Sequence, residues 1–448
     1  MQRLVSRTSA LVVSMLVASS IVAAGQEYAG REKLKAQSDE FRKEVIRVTD
    51  GVYVAVGYSA SNVILIQGDG GSIIVDTATD PVDARAIRIA FGARLRVPVR
   101  AIIYTHSHPD HTGGARVFAG DDHPEIYSHQ RFLETVPDIG RAGREGGDQF
   151  GMALPEAQYI NAGVQLQFGR ITLPTRDGYL PPTRTFREDR LNATLAGVAV
   201  QLLYTPGETL DTIAVWLPDK RVLMPGDNFF RAFPNIAPIR GARLRSPEAW
   251  IASLEKVIEL GPEFVVPSHT RPILGGATAG AALTAYRDGI KSVLTQTIDG
   301  MTRGERPDEL VQHVKLPSDL AENPYLQELY GGVEWTVRGI YADRAGWFDG
   351  NATNLFPLAE KDRAAKLVDL IGGGDRVLAR GREAIAAGQF KWAAELVDYV
   401  LANDGANADA KKIKAQALTE LGERQINAIA RNYYLSSAMY LLRDVQPH

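Results

Sequence analysis

The chain has 448 residues, of which 45% are hydrophobic and 23% are charged, and its formal net charge is −3. At about 100–200 residues per domain, this length predicts roughly two to four domains of ordinary globular composition. The near balance of charge argues against a nucleic-acid or anionic-membrane partner. Because cysteine is absent, disulfides, thiolate ligands and a cysteine nucleophile are excluded, and any metal must be held by His, Asp or Glu.

Residues 1–24 have the pattern of an export signal. Arg3 and Arg7 precede an apolar stretch that begins at Ala10 and ends in small residues, as signal-peptidase cleavage requires. A membrane anchor is the alternative, but a spanning helix needs about 20 apolar residues, and this stretch is shorter and interrupted by serines. We therefore expect cleavage after Ala24, no stable membrane anchor and, in a Gram-negative host, a periplasmic protein.

The segments that follow predict β-sheets with a few helices. Short β-rich runs between residues 52 and 76 are separated by glycine and aspartate, as in hairpins. A helix is predicted at 81–94, and the strand predicted at 97–105 ends at a group of histidines. A second β-rich series begins at Arg170, and a helix is predicted at 247–260. Strands in hairpins with intervening helices indicate stacked sheets flanked by helices.

From residue 276 the apolar pattern is helical. Residues 388–394, 403–407 and 415–422 together resemble one tetratricopeptide-like (TPR-like) helical hairpin. One such unit cannot bury its own apolar face, so it should pack on other helices or on a second subunit; an ordinary helical bundle is the alternative. The predicted α+β chain therefore has three parts: a signal peptide (1–24), a catalytic domain (25–285) and an all-α domain (286–448).

Three of the eight histidines lie within six residues, in the sequence H-S-H-P-D-H. His106 and His108 alternate along an extended chain and so point the same way, while Asp110 and His111 add ligands as the chain turns. Imidazole and carboxylate are ligands suited to zinc and related divalent metals. Scattered surface histidines would rarely give this pattern directly after an apolar strand, so the sequence predicts a metal site.

Four ligands in one loop exceed what a single closed site usually takes from one segment. Four such ligands fit a site with two metals about 3.5–4 Å apart better than a site with one metal. The remaining ligands must then come from later in the chain. Glu208 and Asp227 are separated by a predicted hairpin, so both can return to one sheet edge. His269 follows another apolar run. For Glu208 the alternative is a solvated loop acid, the usual place of a glutamate.

The order of these motifs, H-x-H-x-D-H, P-G-x-T, G-D and S-H, resembles the metallo-β-lactamase superfamily, whose fold is an αββα sandwich with two metals at one edge. Most members carry a histidine after Pro-Gly. Glu208 at that place resembles the class III, zinc-dependent alkylsulfatases, and residues 346–351 and 391–396 resemble their helical dimerisation domain. Two features differ: Asp227 stands where glutamate is expected, and we expect no counterpart, within these residues, of the sterol-carrier-like third domain that many of these enzymes carry.

The resemblance implies a set of site residues. Two zinc ions per chain would be held by seven ligands: His106, His108 and Glu208 on one ion, Asp110, His111 and His269 on the other, and Asp227 between them. Asp110 and Asp227 are the implied catalytic carboxylates. Arg240 and Arg245 are the implied sulfate contacts, because a guanidinium gives paired, charge-assisted hydrogen bonds to an oxyanion. A surface salt bridge is the alternative for each arginine. Other candidates for lining the pocket are Asn228, Asn235 and Phe150.

The activity implied is that of an exported, zinc-dependent hydrolase that converts alkyl sulfate esters, as small-molecule substrates, to alcohol and inorganic sulfate with a metal-activated water. It would act as a homodimer through the helical domain. The alternatives are another dinuclear hydrolase of this fold, acting on a β-lactam or a phosphoester, and a metal-free binding or scaffold protein. Residue types do not distinguish C–O from S–O cleavage. His123 and His129 lie in a polar stretch, which predicts surface positions for both.

Overall fold

The computed structural model describes residues 28–135, 147–166, 176–241 and 244–445. The predicted signal peptide at 1–24 and the predicted start of the second β-rich series at Arg170 lie outside the described residues. Within the described ranges, no helix combines the length and the apolar character that are needed to cross a bilayer.

The first sheet has seven strands, paired in chain order: Glu44–Thr49 (β1), Val52–Val56 (β2), Val63–Gly68 (β3), Gly71–Val75 (β4), Val99–Ile103 (β5), Glu125–His129 (β6) and Arg184–Phe186 (β7). Neighbours from β1 to β4 are antiparallel, and those from β4 to β7 are parallel. The change in direction brings the C-terminal ends of β4 and β5 to the same edge.

The second sheet has six strands: Arg190–Leu195 (β8), Val198–Tyr204 (β9), Ile213–Leu217 (β10), Val222–Met224 (β11), Phe264–Val265 (β12) and Ile273–Leu274 (β13). β9 and β11 both pair antiparallel with β10, and β12 pairs parallel with β11. The C-terminal ends of β9, β11 and β12 therefore also share one edge.

The helices of the described residues precede, flank and follow the sheets: Ala29–Gln37 (α1), Pro81–Phe91 (α2), Pro109–Thr112 (α3), Ala115–Ala119 (α4), Phe132–Thr135 (α5), Pro247–Ile258 (α6), Gly276–Thr302 (α7), Pro307–His313 (α8), Ser318–Ala321 (α9), Val333–Ala345 (α10), Glu360–Ile371 (α11), Gly374–Ala386 (α12), Phe390–Asn403 (α13), Ala408–Glu423 (α14) and Ala428–Arg443 (α15). Asp80 and Ser246 cap α2 and α6 by accepting hydrogen bonds from backbone N–H groups of the first turn.

Four layers of secondary structure enclose the apolar cores. Side chains from both sheets meet in the central core, with Ile64 and Val75 from the first sheet and Val200 and Val215 from the second. The other face of the first sheet packs on α2 and α4. The other face of the second sheet packs on α6, α7 and α10. This arrangement confirms the αββα sandwich that the resemblance implies.

The helical region continues directly from the second sheet. The helix α7 crosses residues 285 and 286, the predicted domain boundary, and its residues Leu283 and Ile290 share a core with β-strand residues and with α10. Helices α11–α15 then follow one another with two small cores of their own. The predicted TPR-like hairpin corresponds to α13 and α14, and the all-helical character of this part is confirmed.

Candidate metal centre

The candidate site lies where strands of both sheets end. Asp76 directly follows β4, and His106 comes three residues after β5. In the second sheet, Glu208 follows β9, Asp227 follows β11 and His269 follows β12. Residues from loops at one sheet edge are positioned by rigid strands, which is where binding and catalytic groups are commonly found.

Hydrogen bonds join these loops to one another. The N–H of Ile213 donates to the carbonyl of Thr105 over 2.8 Å, which links the histidine-bearing loop of the first sheet to the second sheet. Asn62 donates from its backbone N–H to the carbonyl of Ser268 and from its side-chain amide to the carbonyl of Pro267. The loops that carry the predicted ligands are therefore fixed relative to each other by buried backbone contacts.

The structure brings all seven predicted ligands together in two groups. The first contains His106, His108, Glu208 and Asp227, and the second contains Asp110, His111 and His269. Within each group, one potential ligand atom from every residue lies within 4.8 Å of the others. The division follows the ligand sets that the resemblance implies, and the role of these residues as ligands stays a prediction.

The carboxylate of Asp227 lies between the two groups. Its Oδ2 atom is 3.7 Å from Nε2 of His106, 3.5 Å from Nε2 of His111 and 3.1 Å from Nε2 of His269. Its Oδ1 atom and Nε2 of His111 are buried without a hydrogen-bond partner among the described residues. Buried polar atoms normally have partners, and an imidazole and carboxylate donor set suits zinc. The residues present therefore fit the pair of metals that the fold implies.

The turn that carries Glu208 is held by Asn228. The N–H of Glu208 donates to Oδ1 of Asn228 over 2.9 Å, and the amide of Asn228 donates to the carbonyl of Thr205 over 2.6 Å. A Cβ atom on Gly207 would lie 2.4 Å from the same Oδ1 atom, so only glycine fits there. Asn228 is buried and supports the turn, which differs from the predicted role in lining a pocket.

Asp76 is a site residue that the sequence analysis missed. Its Oδ2 atom accepts hydrogen bonds from Nδ1 of His111 at 2.8 Å, from the hydroxyl of Thr105 at 2.9 Å and from the hydroxyl of Ser268 at 2.7 Å. It is fully buried, and its φ of 57° is a conformation that Asp and Asn tolerate better than most residues. The available signal was its position directly after a buried strand at the same edge as His106.

The two groups differ in their electrostatics. Burial lowers the pKa of His106 to about 4. Burial also acts against protonation of His111 and His269, but the nearby carboxylates, chiefly Asp227, outweigh it and raise the pKa of both imidazoles. Burial raises the pKa of Glu208 to about 7, against the effect of the neighbouring arginines. The cluster therefore holds several buried carboxylates that a bound cation would stabilise.

The two predicted sulfate contacts occupy different environments. Arg240 is half-buried, and its Nη1 atom is buried without a hydrogen-bond partner among the described residues. Arg245 is 6% exposed, and its guanidinium forms an ion pair with Glu208. Of the other predicted lining residues, Asn235 is buried and accepts a hydrogen bond from Arg245 through its backbone carbonyl. Phe150 packs on an apolar cluster that contains Tyr330.

His108 and Asp110 form the open side of the site. Their side chains are 28% and 17% exposed, whereas those of the other five predicted ligands are 7% exposed or less. The positive charge of Arg240 acts electrostatically on both His108 and Glu208 of the first ligand group.

The sequence predicts surface positions for His123 and His129, and the structure confirms only the first. His123 is exposed. The prediction for His129 is wrong, because its side chain at the end of β6 is buried and its ring stacks on Tyr204, with the ring centroids 4.0 Å apart. The polar sequence around it gave no sign that a strand of the second sheet covers this position.

Two family models match the chain. The model of the metallo-β-lactamase superfamily matches residues 56–269, which carry all seven predicted ligands. The model described as alkyl sulfatase dimerisation matches residues 306–444, which include most of the helical region.

Several of the similar proteins are named alkylsulfatases. A linear primary-alkylsulfatase from a Pseudomonas species is 36% identical over 391 residues, covering 84% of this chain and 73% of that protein. An (R)-specific secondary-alkylsulfatase, also from Pseudomonas, is 30% identical, covering 90% of this chain and 63% of that protein. The solved structure of the stereoselective inverting sec-alkylsulfatase Pisa1 from Pseudomonas superposes with a TM-score of 0.80 at 28% identity, covering 91% of this chain and 66% of that one.

Replacing Asp76 with asparagine should weaken metal binding, because the amide cannot accept all the hydrogen bonds that now orient His111. Loss of such an outer partner typically lowers metal affinity about 10–100-fold. Metal content after dialysis against a weak chelator, with thermal unfolding in parallel, measures the effect. Asp122→Asn is the matched control, because Asp122 also accepts a backbone hydrogen bond at the same sheet but away from the site. A D76N variant that retains metal as firmly as the wild type would show that Asp76 has no such role.

Proposed function

Because the chain belongs to the alkylsulfatase family of the metallo-β-lactamase superfamily, we propose that it hydrolyses alkyl sulfate esters to an alcohol and inorganic sulfate. The observation that carries this proposal is the buried Nη1 atom of Arg240, which has no hydrogen-bond partner among the described residues, together with two groups of metal-ligand side chains. A sulfate ester is an anion, and a guanidinium is suited to its tetrahedral oxyanion. The named relatives support the same substrate class.

The proposed cofactor is a pair of zinc ions. Bound in the two groups, they would supply positive charge at the leaving sulfate and lower the pKa of a water toward about 7. The carboxylate of Asp110, on the open side, lies 3.4 Å from Nε2 of His111 and would accept a hydrogen bond from that water. Asp227 holds His106, His111 and His269 around one carboxylate oxygen.

Arg240 binds the sulfate oxygens and orients the ester. One ester bond breaks, and one proton is released in addition to alcohol and sulfate. The oxygen of the water enters the alcohol if the C–O bond breaks and the sulfate if the S–O bond breaks. The charge on Arg240 stabilises the sulfate both in the substrate and as it leaves, because charge-assisted hydrogen bonds are stronger than neutral ones.

A buried apolar cluster next to His269 supports an alkyl substrate. The ring of Phe230 lies 6.3 Å from the ring of His269 and 5.7 Å from the ring of Tyr330, measured between centroids. Phe150 and Leu329 pack on the same cluster. Because sites for apolar ligands are lined mostly by apolar side chains, the alkyl chain would bind against this cluster.

Replacing Arg240 with alanine should lower kcat/KM for dodecyl sulfate by about 10- to 150-fold, which corresponds to the loss of a hydrogen bond to a charged group. Sulfate release from sodium dodecyl sulfate measures the rate, and the metal content of the variant should equal that of the wild type. Arg47→Ala is the control, because Arg47 pairs with Asp50 on the surface.

The same assays test the other activities. Wild-type protein should hydrolyse dodecyl sulfate much faster than nitrocefin or 4-nitrophenyl phosphate. Faster turnover of either of those two substrates would contradict the alkylsulfatase proposal and favour a β-lactam or phosphoester hydrolase. A wild-type rate in R240A would remove the proposed role of this arginine.

The proposed assembly is a homodimer formed by the helical region. Large apolar side chains are exposed within the residues that match the dimerisation model: Trp347 is 77% exposed and Phe356 is 94% exposed. Leu358 and Leu370 are also exposed. Exposed apolar patches of this kind mark interaction surfaces, and a second copy of the chain is the partner that the match supports.

Replacing both Trp347 and Phe356 with serine should therefore convert a dimer to a monomer in sedimentation velocity experiments, because the apolar area that the partner would bury is lost. Ile89→Ser is the control, since Ile89 is 80% exposed on α2. A wild-type chain that sediments as a monomer, or a double variant that still dimerises as tightly, would contradict this assembly.

Export is also proposed, on the support of the basic and apolar pattern in residues 1–24. A periplasmic enzyme would meet sulfate esters before they enter the cell. Amino-terminal sequencing of the protein from its native host tests this proposal, with a mature start at Gly25 expected and a start at Met1 contradicting it.

A further inference from the structure

Arg245 faces a ligand carboxylate. Its Nη1 atom donates hydrogen bonds to Oε2 of Glu208 and, over 2.8 Å, to the carbonyl of Asn235. The side chains of Arg245 and Glu208 are 5% and 4% exposed, so water does not screen the pair. The guanidinium thus has a fixed position at both of its contacts.

The two oxygens of Glu208 face different partners. Oε2 accepts from Arg245, while Oε1 lies 3.5 Å from Nδ1 of His108, on the side of the first ligand group. The carboxylate is therefore held with one oxygen directed at the ligand group and the other at the arginine. Its rotation would break the buried ion pair.

Arg245 is itself braced by its loop. Its backbone N–H donates to the carbonyl of Ile236 over 3.0 Å, and the carbonyl that its side chain contacts belongs to the preceding residue, Asn235. The backbone bond fixes where the side chain begins, and the guanidinium cannot turn toward a substrate without losing its contacts with Glu208 and Asn235. Arg240, whose Nη1 atom has no partner among the described residues, has no such restraint at that atom.

We infer that Arg245 is a positioning residue that holds Glu208 as a one-oxygen ligand of the first metal group, and that it does not contact the sulfate ester. This inference rests on the proposed function, and it deepens it by dividing the two arginines between two tasks. Arg240 binds the anion, and Arg245 sets the metal affinity of the group formed by His106, His108 and Glu208.

The physical argument has two opposing parts. Removing the positive charge of Arg245 leaves more negative charge near the first group, which by itself would strengthen cation binding. Removing the clamp lets the buried carboxylate rotate away, and outer contacts of this kind typically contribute about 10–100-fold to metal affinity. The inference requires that the loss of orientation lowers zinc affinity by more than the loss of the positive charge raises it. A net decrease in affinity therefore supports the inference, and a net increase contradicts it.

The test is a zinc titration of the metal-free full-length protein. The titration is monitored by isothermal calorimetry in the absence of substrate. Wild-type protein should take up two zinc ions. Arg245→Gln should take up one ion with nearly unchanged affinity and bind the second at least about tenfold more weakly. Arg245→Lys keeps the charge but not the two contacts of the guanidinium, and its second affinity should lie between those of the wild type and R245Q.

Two control variants distinguish the positioning of Glu208 from a general loss of stability. Arg431→Gln removes an arginine that is 0% exposed and pairs with a glutamate, Glu423, at 3.2 Å in the helical region. It should lower thermal stability but leave both zinc affinities unchanged. Arg240→Gln should also leave both affinities unchanged, while inhibition of the loaded enzyme by inorganic sulfate should weaken about tenfold or more in R240Q and less than twofold in R245Q.

The outcomes separate the inference from the function on which it rests. If R245Q binds both ions with unchanged or higher affinity, Arg245 is not a positioning residue. If R245Q loses sulfate inhibition as R240Q does, Arg245 contacts the sulfate, as the family resemblance implies. Failure of the wild-type chain to bind zinc would overturn the proposed cofactor and this inference together.

Discussion

The carboxylate of Asp227 lies at the centre of the candidate site, and the surrounding structure is arranged about it. One of its oxygens is within 3.7 Å of imidazole nitrogens from three histidines, which come from both sheets. Such a buried carboxylate costs free energy unless cations or hydrogen-bond donors stabilise it. The two sheets must therefore meet at this edge in a fixed register, and the bond from Ile213 to Thr105 is one contact that maintains it.

The buried acids around the site are stabilised in different ways. Asp76 is satisfied entirely by protein donors, namely an imidazole, two hydroxyls and a backbone N–H. Glu208 has one oxygen paired with Arg245 and the other directed at the ligand group. Asp227 keeps one oxygen without a partner among the residues described. As a result, Glu208 and Asp227 each keep a carboxylate oxygen available as a metal ligand. Ligands that are already held in position favour cation binding.

The parts of the site that could be predicted from the sequence are those with a local pattern. His106 to His111 follow an apolar strand in ligand spacing, and the helical periodicity after residue 276 is equally local. Glu208 and His269 were indicated by their places after predicted strands, but their assignment to particular metal ions needed the family resemblance. The contact of Arg245 with a residue 37 positions earlier and the burial of His129 depend on how the two sheets come together, which no local pattern records.

The most direct measurement of the central claim is anomalous diffraction at the zinc edge from crystals of the zinc-loaded protein. Two peaks about 3.5–4 Å apart are expected, one beside His106, His108 and Glu208 and the other beside Asp110, His111 and His269, with Asp227 between them. A single peak, or peaks only at surface residues, would contradict a dinuclear centre and with it the proposed hydrolysis.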